Sequence, residues 1–237
     1  MSVLAIILAR RGSKGLPGKN TAMVAGRPCI AWTIDDALAA ETVESVLVSS
    51  DDPEALDIGS RMGAFCFVRP PEIADDLATV DQAARVSLKG VDADTVVLLY
   101  GNVPVRPAGL IDRAVRLLEE TGCDSVQSYE PVGKHHPLWT ARVGDGGAVE
   151  PWEGEVLNAG IWRRQDLPPA YIPTGGVIVD RRQALELSLG VEPGVHAFLG
   201  RDRRGVIDEQ GSTIDIDEPI DLVVAQAVLE RRLSRAA

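Results

Sequence analysis

Two short stretches carry residues that can do chemistry on a polyanion. The first is LARRGSKGLPGKN, residues 8–20, which sets Arg10, Arg11, Lys14 and Lys19 among Gly12, Gly15 and Gly18. Glycines let backbone approach an anion closely, and successive N–H groups can cradle phosphate oxygens. Arginine grips phosphate through paired hydrogen bonds, and lysine acts as a mobile point charge. The set suits a triphosphate. A solvated basic turn has the same composition, so composition alone leaves both readings open. The loop is not a Walker motif, because five residues rather than four lie between Gly12 and Gly18 and Asn20 replaces the required Ser or Thr. The second stretch is Asp215-Ile216-Asp217. In extended chain, i and i+2 share a face, so the two carboxylates converge. Hard oxygen donors of this kind suit Mg²⁺, which takes one or two carboxylates and completes its shell with phosphate and water. Asp217, two residues before Pro219, also fits a helix N-cap; Asp215 has no such role.

The elements that must position these residues read as alternating strands and helices. Residues 3–9 form a continuous apolar run, the mark of a buried parallel strand. Further strands are predicted at 45–49, 64–68, 95–100, 124–128, 177–179 and 213–216. Helices are predicted at 27–40, 53–62, 81–89, 110–120 and 181–187, with a terminal one from Glu218. Pro28 falls in the first turn of the 27–40 helix. In the terminal helix Ile220, Val223, Val224, Ala227 and Val228 lie on one face, which reads as core packing. Alternation of this kind implies an α/β fold with a parallel sheet wrapped by helices, and ligands bind beyond the strands' carboxyl ends, where residues 8–20 lie. Residues 133–175 break the pattern. They hold His135-His136-Pro137, a Gly-Asp-Gly-Gly turn and Trp139, Trp152 and Trp162, and read as a lobe inserted in one domain spanning 1–237. The tryptophans there suit a subunit interface, a substrate wall or a small local core.

Bulk composition narrows the field. At 237 residues the chain can bury roughly 70–75% of its unfolded surface without staples. A net charge of −11 and 4% aromatics argue against nucleic acid and anionic membrane as partners. No apolar run approaches a membrane span. Cys29, Cys66 and Cys123 form no CxxC and read as buried hydrophobes in a reducing, cytoplasmic setting. The two adjacent histidines lack a third ligand at zinc spacing, so a hydrogen-bonding or interface role is favoured.

The order of residues in the opening loop says more. Arg10-x-Gly12-Ser13-Lys14-Gly15-x-Pro17-x-Lys19-Asn20 resembles the signature loop of the acylneuraminate (CMP-sialic acid) cytidylyltransferases. That family joins CTP to a nine-carbon 2-keto sugar acid and releases pyrophosphate. Val48-Ser49-Ser50-Asp51-Asp52, the run from Arg69 to Asp76, His135-His136-Pro137-Leu138, Arg164-Gln165-x-Leu167-Pro168 and Ile214-Asp215-Ile216-Asp217 resemble further family segments, in family order along nearly the whole chain. The resemblance implies a Rossmann-like (GT-A-like) nucleotidyltransferase fold with a mixed, mostly parallel sheet and a dimerisation lobe, hence a homodimer. It implies that Arg10 and Lys14 hold the triphosphate and act with Asp215 in catalysis, with Gly12, Ser13 and Lys19 around the nucleotide. Asn20 and Arg69 would contact cytosine or ribose, and Asp215 and Asp217 would hold Mg²⁺. The reaction implied is an in-line attack of the sugar's anomeric hydroxyl on the α-phosphorus; no residue stands out as its general base.

The sugar side departs from the family. Where sialic acid synthetases read L-Q-P-T-S-P-L-R, this chain reads Leu99-Tyr100-Gly101-Asn102-Val103-Pro104-Val105-Arg106. That stretch also resembles the Q-G-D-E-P of KDO cytidylyltransferases, with Asn102 in place of a metal-holding Asp. Trp139 stands where Lys can occur, and Thr174-Gly175-Gly176 replaces N-G-A. Tyr100, Asn102, Trp139, Arg164 and Gly175 are therefore the candidate sugar residues, with Arg164 a partner for the sugar carboxylate. A remodelled pocket implies a nonulosonic acid other than N-acetylneuraminate, since unmatched polar groups are costly. The alternatives are a KDO-type or other-nucleotide pyrophosphorylase and a non-catalytic nucleotide- or sugar-binding homologue.

Overall fold

The computed structural model describes residues 2–12, 15–74, 78–192 and 194–236. Its centre is β1 (Val3–Leu8), buried at every position. Alternate side chains of β1 feed two cores. Val3, Ala5 and Ile7 pack with Ile30, Ile34, Leu110, Ala114 and Leu118 on one face, while Leu4, Ile6 and Leu8 pack with Ala83, Ala84, Leu88 and Phe198 on the other. A strand buried on both faces needs an unbroken apolar run, which is why residues 3–9 are legible.

After β1 come two short strands, β2 (Met23–Val24) and β3 (Arg27–Pro28), then α1 (Cys29–Ala39), β4 (Ser45–Ser50), α2 (Pro53–Arg61), β5 (Phe65–Val68), α3 (Val80–Ser87), β6 (Thr95–Tyr100), α4 (Leu110–Thr121) and β7 (Ser125–Pro131). The small pair β8 (Ala141–Val143) and β9 (Val149–Pro151) lies among short 3-10 turns between β7 and β10 (Tyr171–Arg181). The chain ends with α5 (Arg182–Leu185), β11 (Arg203–Ile207) and α6 (Pro219–Ala236). The main sheet runs β11-β7-β10-β6-β1-β4-β5, and β10 is the strand antiparallel to both its neighbours. The class is α/β, a mixed, mostly parallel sheet flanked by helices.

Several details differ from the sequence reading. Arg27 and Pro28 pair with β2, so α1 starts at Cys29 and Pro28 is its N-cap residue rather than part of its first turn. Residues 213–216 make only an isolated bridge, Ile214 to Val105, and no strand. The seventh strand is β11, whose Arg-Arg-Gly-Val-Ile sequence is mostly exposed at the sheet edge and has no apolar alternation to betray it. The terminal helix is rotated from the predicted face. Ala225 and Leu229 are buried with Ile216 and Val105, while Ile220, Val223 and Val224 are exposed. Cys29 and Cys123 are buried, but Cys66 is exposed, because β5 is the opposite edge strand.

Candidate active site

Three adjoining cavities open at the carboxyl end of β6, and Tyr100 and Val80 line all of them. The smallest, about 180 Å³, holds Arg10, Lys19, Asn20 and Arg69. The largest, about 510 Å³, holds Lys19, Asn102, Glu130, Thr213, Asp215 and Asp217. The third, about 470 Å³, is walled by Val177, Ile178, Val195 and Phe198, and its polar lining residues are Thr79, Asp81, Tyr100, Gln127, Ser128 and His196.

The cationic cavity is built by tying loops to strand ends. Asn20 is 5% exposed; its Nδ2 donates to the Arg10 carbonyl at 2.8 Å, and its own carbonyl accepts from Ile30. Gly101 leaves the room this needs, since a Cβ there would lie 3.0 Å from Asn20 Oδ1 and from Ala9 Cβ. The Arg11 amide donates to Asp51 and the Ser50 hydroxyl to the Ala9 carbonyl, fastening the loop to β4. Arg69 is equally buried, its guanidinium on the Ser49 carbonyl (2.9 Å) and hydroxyl (3.3 Å). Burial lowers the Arg69 pKa; Asp51 opposes this and Arg10 adds to it. Ser13 and Lys14 lie outside the described residues, as do Asp75 and Asp76. Gly12 is exposed with open space around it, whereas a Cβ on Gly15 would stand 2.5 Å from the Asp217 carbonyl. The opening loop therefore packs directly on the acidic segment.

That segment is fixed from below. Ile216 is fully buried under α6, so Asp215 and Asp217 on either side of it project into the large cavity. Lys19 Nζ bonds Asp217 Oδ1 at 2.5 Å. Partial burial raises the Asp215 pKa, and Asp217 raises it further. Two acceptor-only carboxylates crowded in this way beside a cationic cavity fit a hard divalent cation that shares its shell with phosphate.

Sequence comparisons give the family. The pattern of a family described as Cytidylyltransferase matches residues 4–142. The chain belongs to the cytidylyltransferase family. It is 32% identical over 239 residues to a CMP-N,N'-diacetyllegionaminic acid synthase of Legionella pneumophila, covering 97% of each chain. It is also 32% identical over 187 residues to an N-acylneuraminate cytidylyltransferase of Streptococcus agalactiae, covering 77% of this chain and 44% of that protein. An Escherichia coli N-acylneuraminate cytidylyltransferase is 29% identical over 97% of this chain and 52% of its own, so the chain spans about half the length of these two relatives. Among solved structures, a CMP:2-keto-3-deoxy-manno-octonic acid synthetase complexed with CTP superposes with a TM-score of 0.74 at 17% identity, covering 98% of this chain and 100% of that one. A 4-diphosphocytidyl-2C-methyl-D-erythritol synthase from Anaerococcus prevotii gives 0.63 at 16%, covering 97% and 98%. These two likenesses establish the fold.

In this cytidylyltransferase the predicted nucleotide residues Arg10, Lys19, Asn20 and Arg69 come together, and so do Tyr100, Asn102 and Gly175. Gly175 has φ +68° in an irregularity of the β7–β10 pairing, and a Cβ there would touch the Tyr100 ring at 3.5 Å. The Tyr100 hydroxyl is pushed up to about 12 by burial and by Asp180. The cleft does not include Trp139 or Arg164. Trp139 donates to the Ile161 carbonyl within the 133–170 segment. Arg164 bonds Gln210 and lines a separate depression with Pro131, His136 and Tyr171. The register explains the separation. Glu130 and Ile172 pair and face the large cavity, while the next pair, Pro131 and Tyr171, faces the depression. His136 is buried, with Nδ1 accepting from the Leu138 amide and Nε2 against the Pro168 carbonyl.

Several residues escaped the sequence reading. Thr79 and Val80 enter from the start of α3, where a capping box links Thr79 and Gln82; the Thr-x-x-Gln spacing was the available signal. Arg106 is the other. Its guanidinium, 3% exposed as a residue, donates to the carbonyls of Gly176 (2.7 Å), Val103 (2.6 Å) and Tyr100 (3.1 Å) and pairs with Asp36. It joins the two walls that carry Tyr100 and Gly175.

Proposed function

We propose that this cytidylyltransferase transfers CMP from CTP to the anomeric hydroxyl of a 2-keto-3-deoxy sugar acid, a nonulosonic acid other than N-acetylneuraminate, and releases pyrophosphate. The observation that carries the reading is the contact between unlike cavities. Cationic Arg10, Lys19 and Arg69 line one, the carboxylates Asp215 and Asp217 line the next, and Lys19 and Asn102 belong to both.

On this reading Asn20 and Arg69 read the base or ribose, since an amide and a guanidinium offer donors and an acceptor along an edge. Arg10, Lys14 and Lys19 hold the triphosphate and stabilise charge that develops at the α-phosphorus. Asp215 and Asp217 hold Mg²⁺, which when bound supplies charge neutralisation at the phosphate oxygens. Lys19 passes from Asp217 to the triphosphate. The anomeric hydroxyl then gives up its proton to solvent as its oxygen bonds the α-phosphorus and the bond to the departing pyrophosphate breaks in line, and positioning supplies most of the acceleration. The distal part of the sugar occupies the third cavity, whose walls are largely apolar and whose lining includes no Lys or Arg. Such a cavity favours neutral acylamino and deoxy substituents over free hydroxyls. The relative named for diacetyllegionaminic acid supports this choice. Residues 133–175 form the contact of a homodimer in this account, with Trp162 (89% exposed) and Trp152 (54%) as its apolar anchors. The setting is cytoplasmic, in keeping with three unpaired cysteines.

The test is pyrophosphate release with Mg²⁺, crossing CTP, UTP, ATP and GTP with N-acetylneuraminate, its deaminated analogue, legionaminate, pseudaminate and KDO. Release with CTP and a nonulosonic acid is the expected result. Binding of CTP with no turnover on any acid would count against an enzyme, and failure to bind any nucleotide would refute the role given to residues 8–20.

A further inference from the structure

The loop after β6 meets the acidic segment through one residue. The Asn102 carbonyl accepts from the Ile216 amide at 2.8 Å, and Asn102 Nδ2 donates to the Ile216 carbonyl at 3.1 Å. The same Nδ2 reaches Asp217 Oδ1 at 3.4 Å. Just beyond, the Ile214 amide donates to the Val105 carbonyl at 3.1 Å. Residues 214–217 are thus stitched to residues 102–105, and Ile216 is driven into the core beneath them.

We infer that Asn102 is a positioning residue for the Asp215 and Asp217 carboxylates, acting as a hydrogen-bond donor and not as a cation ligand. The inference rests on the reading of that pair as a cation site. Both partners of Nδ2 are acceptors, one a carbonyl and one a carboxylate. A carboxylate at position 102 would set oxygen against oxygen at both contacts. It would also add a third negative charge beside Asp215 and Asp217, where Lys19 is the cation already bonded. The backbone cannot shift to relieve this. Arg106 holds the carbonyls of Tyr100 and Val103, and Gly101 is wedged between Ala9 and Asn20. The residue at 102 therefore meets Ile216 from a fixed point, and a donor there sets where the two carboxylates stand. Outer partners of this kind are worth roughly 10–100-fold in metal affinity.

The probe is Mn²⁺, titrated calorimetrically into the full-length protein with CTP present. Asn102→Ala and Asn102→Asp should each raise the Mn²⁺ dissociation constant about tenfold or more. Each variant should keep the wild-type near-UV circular dichroism spectrum, which a loss of packed structure would not permit. Equal or tighter Mn²⁺ binding by Asn102→Asp would make the residue a ligand position and overturn the inference. Should that variant not fold, wild-type Mn²⁺ affinity in Asn102→Ala would overturn it instead. Asp215→Ala, run in parallel, separates the two claims. If it binds Mn²⁺ as wild type does, the cation site itself is wrong and the inference falls with it. If it loses binding while all Asn102 variants keep theirs, only the inference falls.

Discussion

The cationic and apolar ends of the cleft are built from different kinds of chain. At the cationic end, Arg10, Lys19 and Asn20 come from one loop after β1, joined by Arg69 from the turn after β5. These are loops that follow parallel strands, and the end of β4 holds them through Ser50 and Asp51 on the loop backbone and Ser49 on the Arg69 guanidinium. The apolar end gathers α3, β6, β7, β10 and the stretch around Phe198, which are far apart in sequence. Its shape depends on the displaced Thr174-Gly175-Gly176 backbone and on one buried guanidinium. The first design keeps a ligand site local to a few residues. The second lets the pocket change through scattered substitutions while the cationic end stays intact.

The sharpest way to break this contrast is through Arg106, which serves the apolar end from inside the core. Arg106→Met removes the donor to the Gly176 carbonyl, strips one donor each from the Tyr100 and Val103 carbonyls and leaves the part-exposed Asp36 carboxylate unpaired, and should cost about 1–3 kcal/mol of stability, read by denaturant unfolding. A loss under about 1 kcal/mol would mean the carbonyls find other donors. Asp215→Ala should lower kcat by about 10²–10³-fold, the equivalent of several kcal/mol of charge stabilisation, without unfolding the protein.

Two milder variants should act on opposite ends. Asn20→Ala removes the tie to the Arg10 carbonyl and should raise KM for CTP about tenfold, leaving KM for the sugar acid near its original value. Gly175→Ala forces a side chain into a φ of +68° beside Tyr100, a strain of about 1–2 kcal/mol, and should raise the sugar KM by a similar factor while sparing CTP. If either variant moved both constants equally, the two ends would be one site. The smallest effect is on stability alone. Asp180, in strand β10, is fully buried, neither carboxylate oxygen has a hydrogen-bond partner, and burial, then Asp81, raises its pKa well above the ordinary value. Between the unfolded and folded values, the folded protein keeps this proton while the unfolded chain releases it. Its contribution is therefore most favourable below the unfolded pKa near 3.8 and is lost as pH rises through the folded value. Asp180→Asn should raise Tm at pH 7–8 and change it little near pH 4, and the reverse order would contradict a neutral Asp180.

The same contrast explains what the sequence disclosed. The cationic loop was legible because its charges, glycines and order lie within thirteen residues. The apolar run of β1 announced a central strand because both its faces are buried. Arg164 and Trp139 were placed in the sugar pocket because a linear motif cannot tell which face of the β7–β10 pair its neighbours occupy. Arg106 went unnoticed because its partners are carbonyls, which have no residue signature. β11 was missed because an exposed edge strand needs no apolar alternation, and α6 was misrotated because its apolar positions exceed what its buried face uses.

The most direct test of the account compares kcat/KM for N,N'-diacetyllegionaminate and N-acetylneuraminate at saturating CTP. The apolar third cavity predicts that the diacylated, more deoxygenated acid is preferred by at least about tenfold, the discrimination a hydrophobic pocket commonly achieves. Equal rates, or a preference for N-acetylneuraminate, would contradict it.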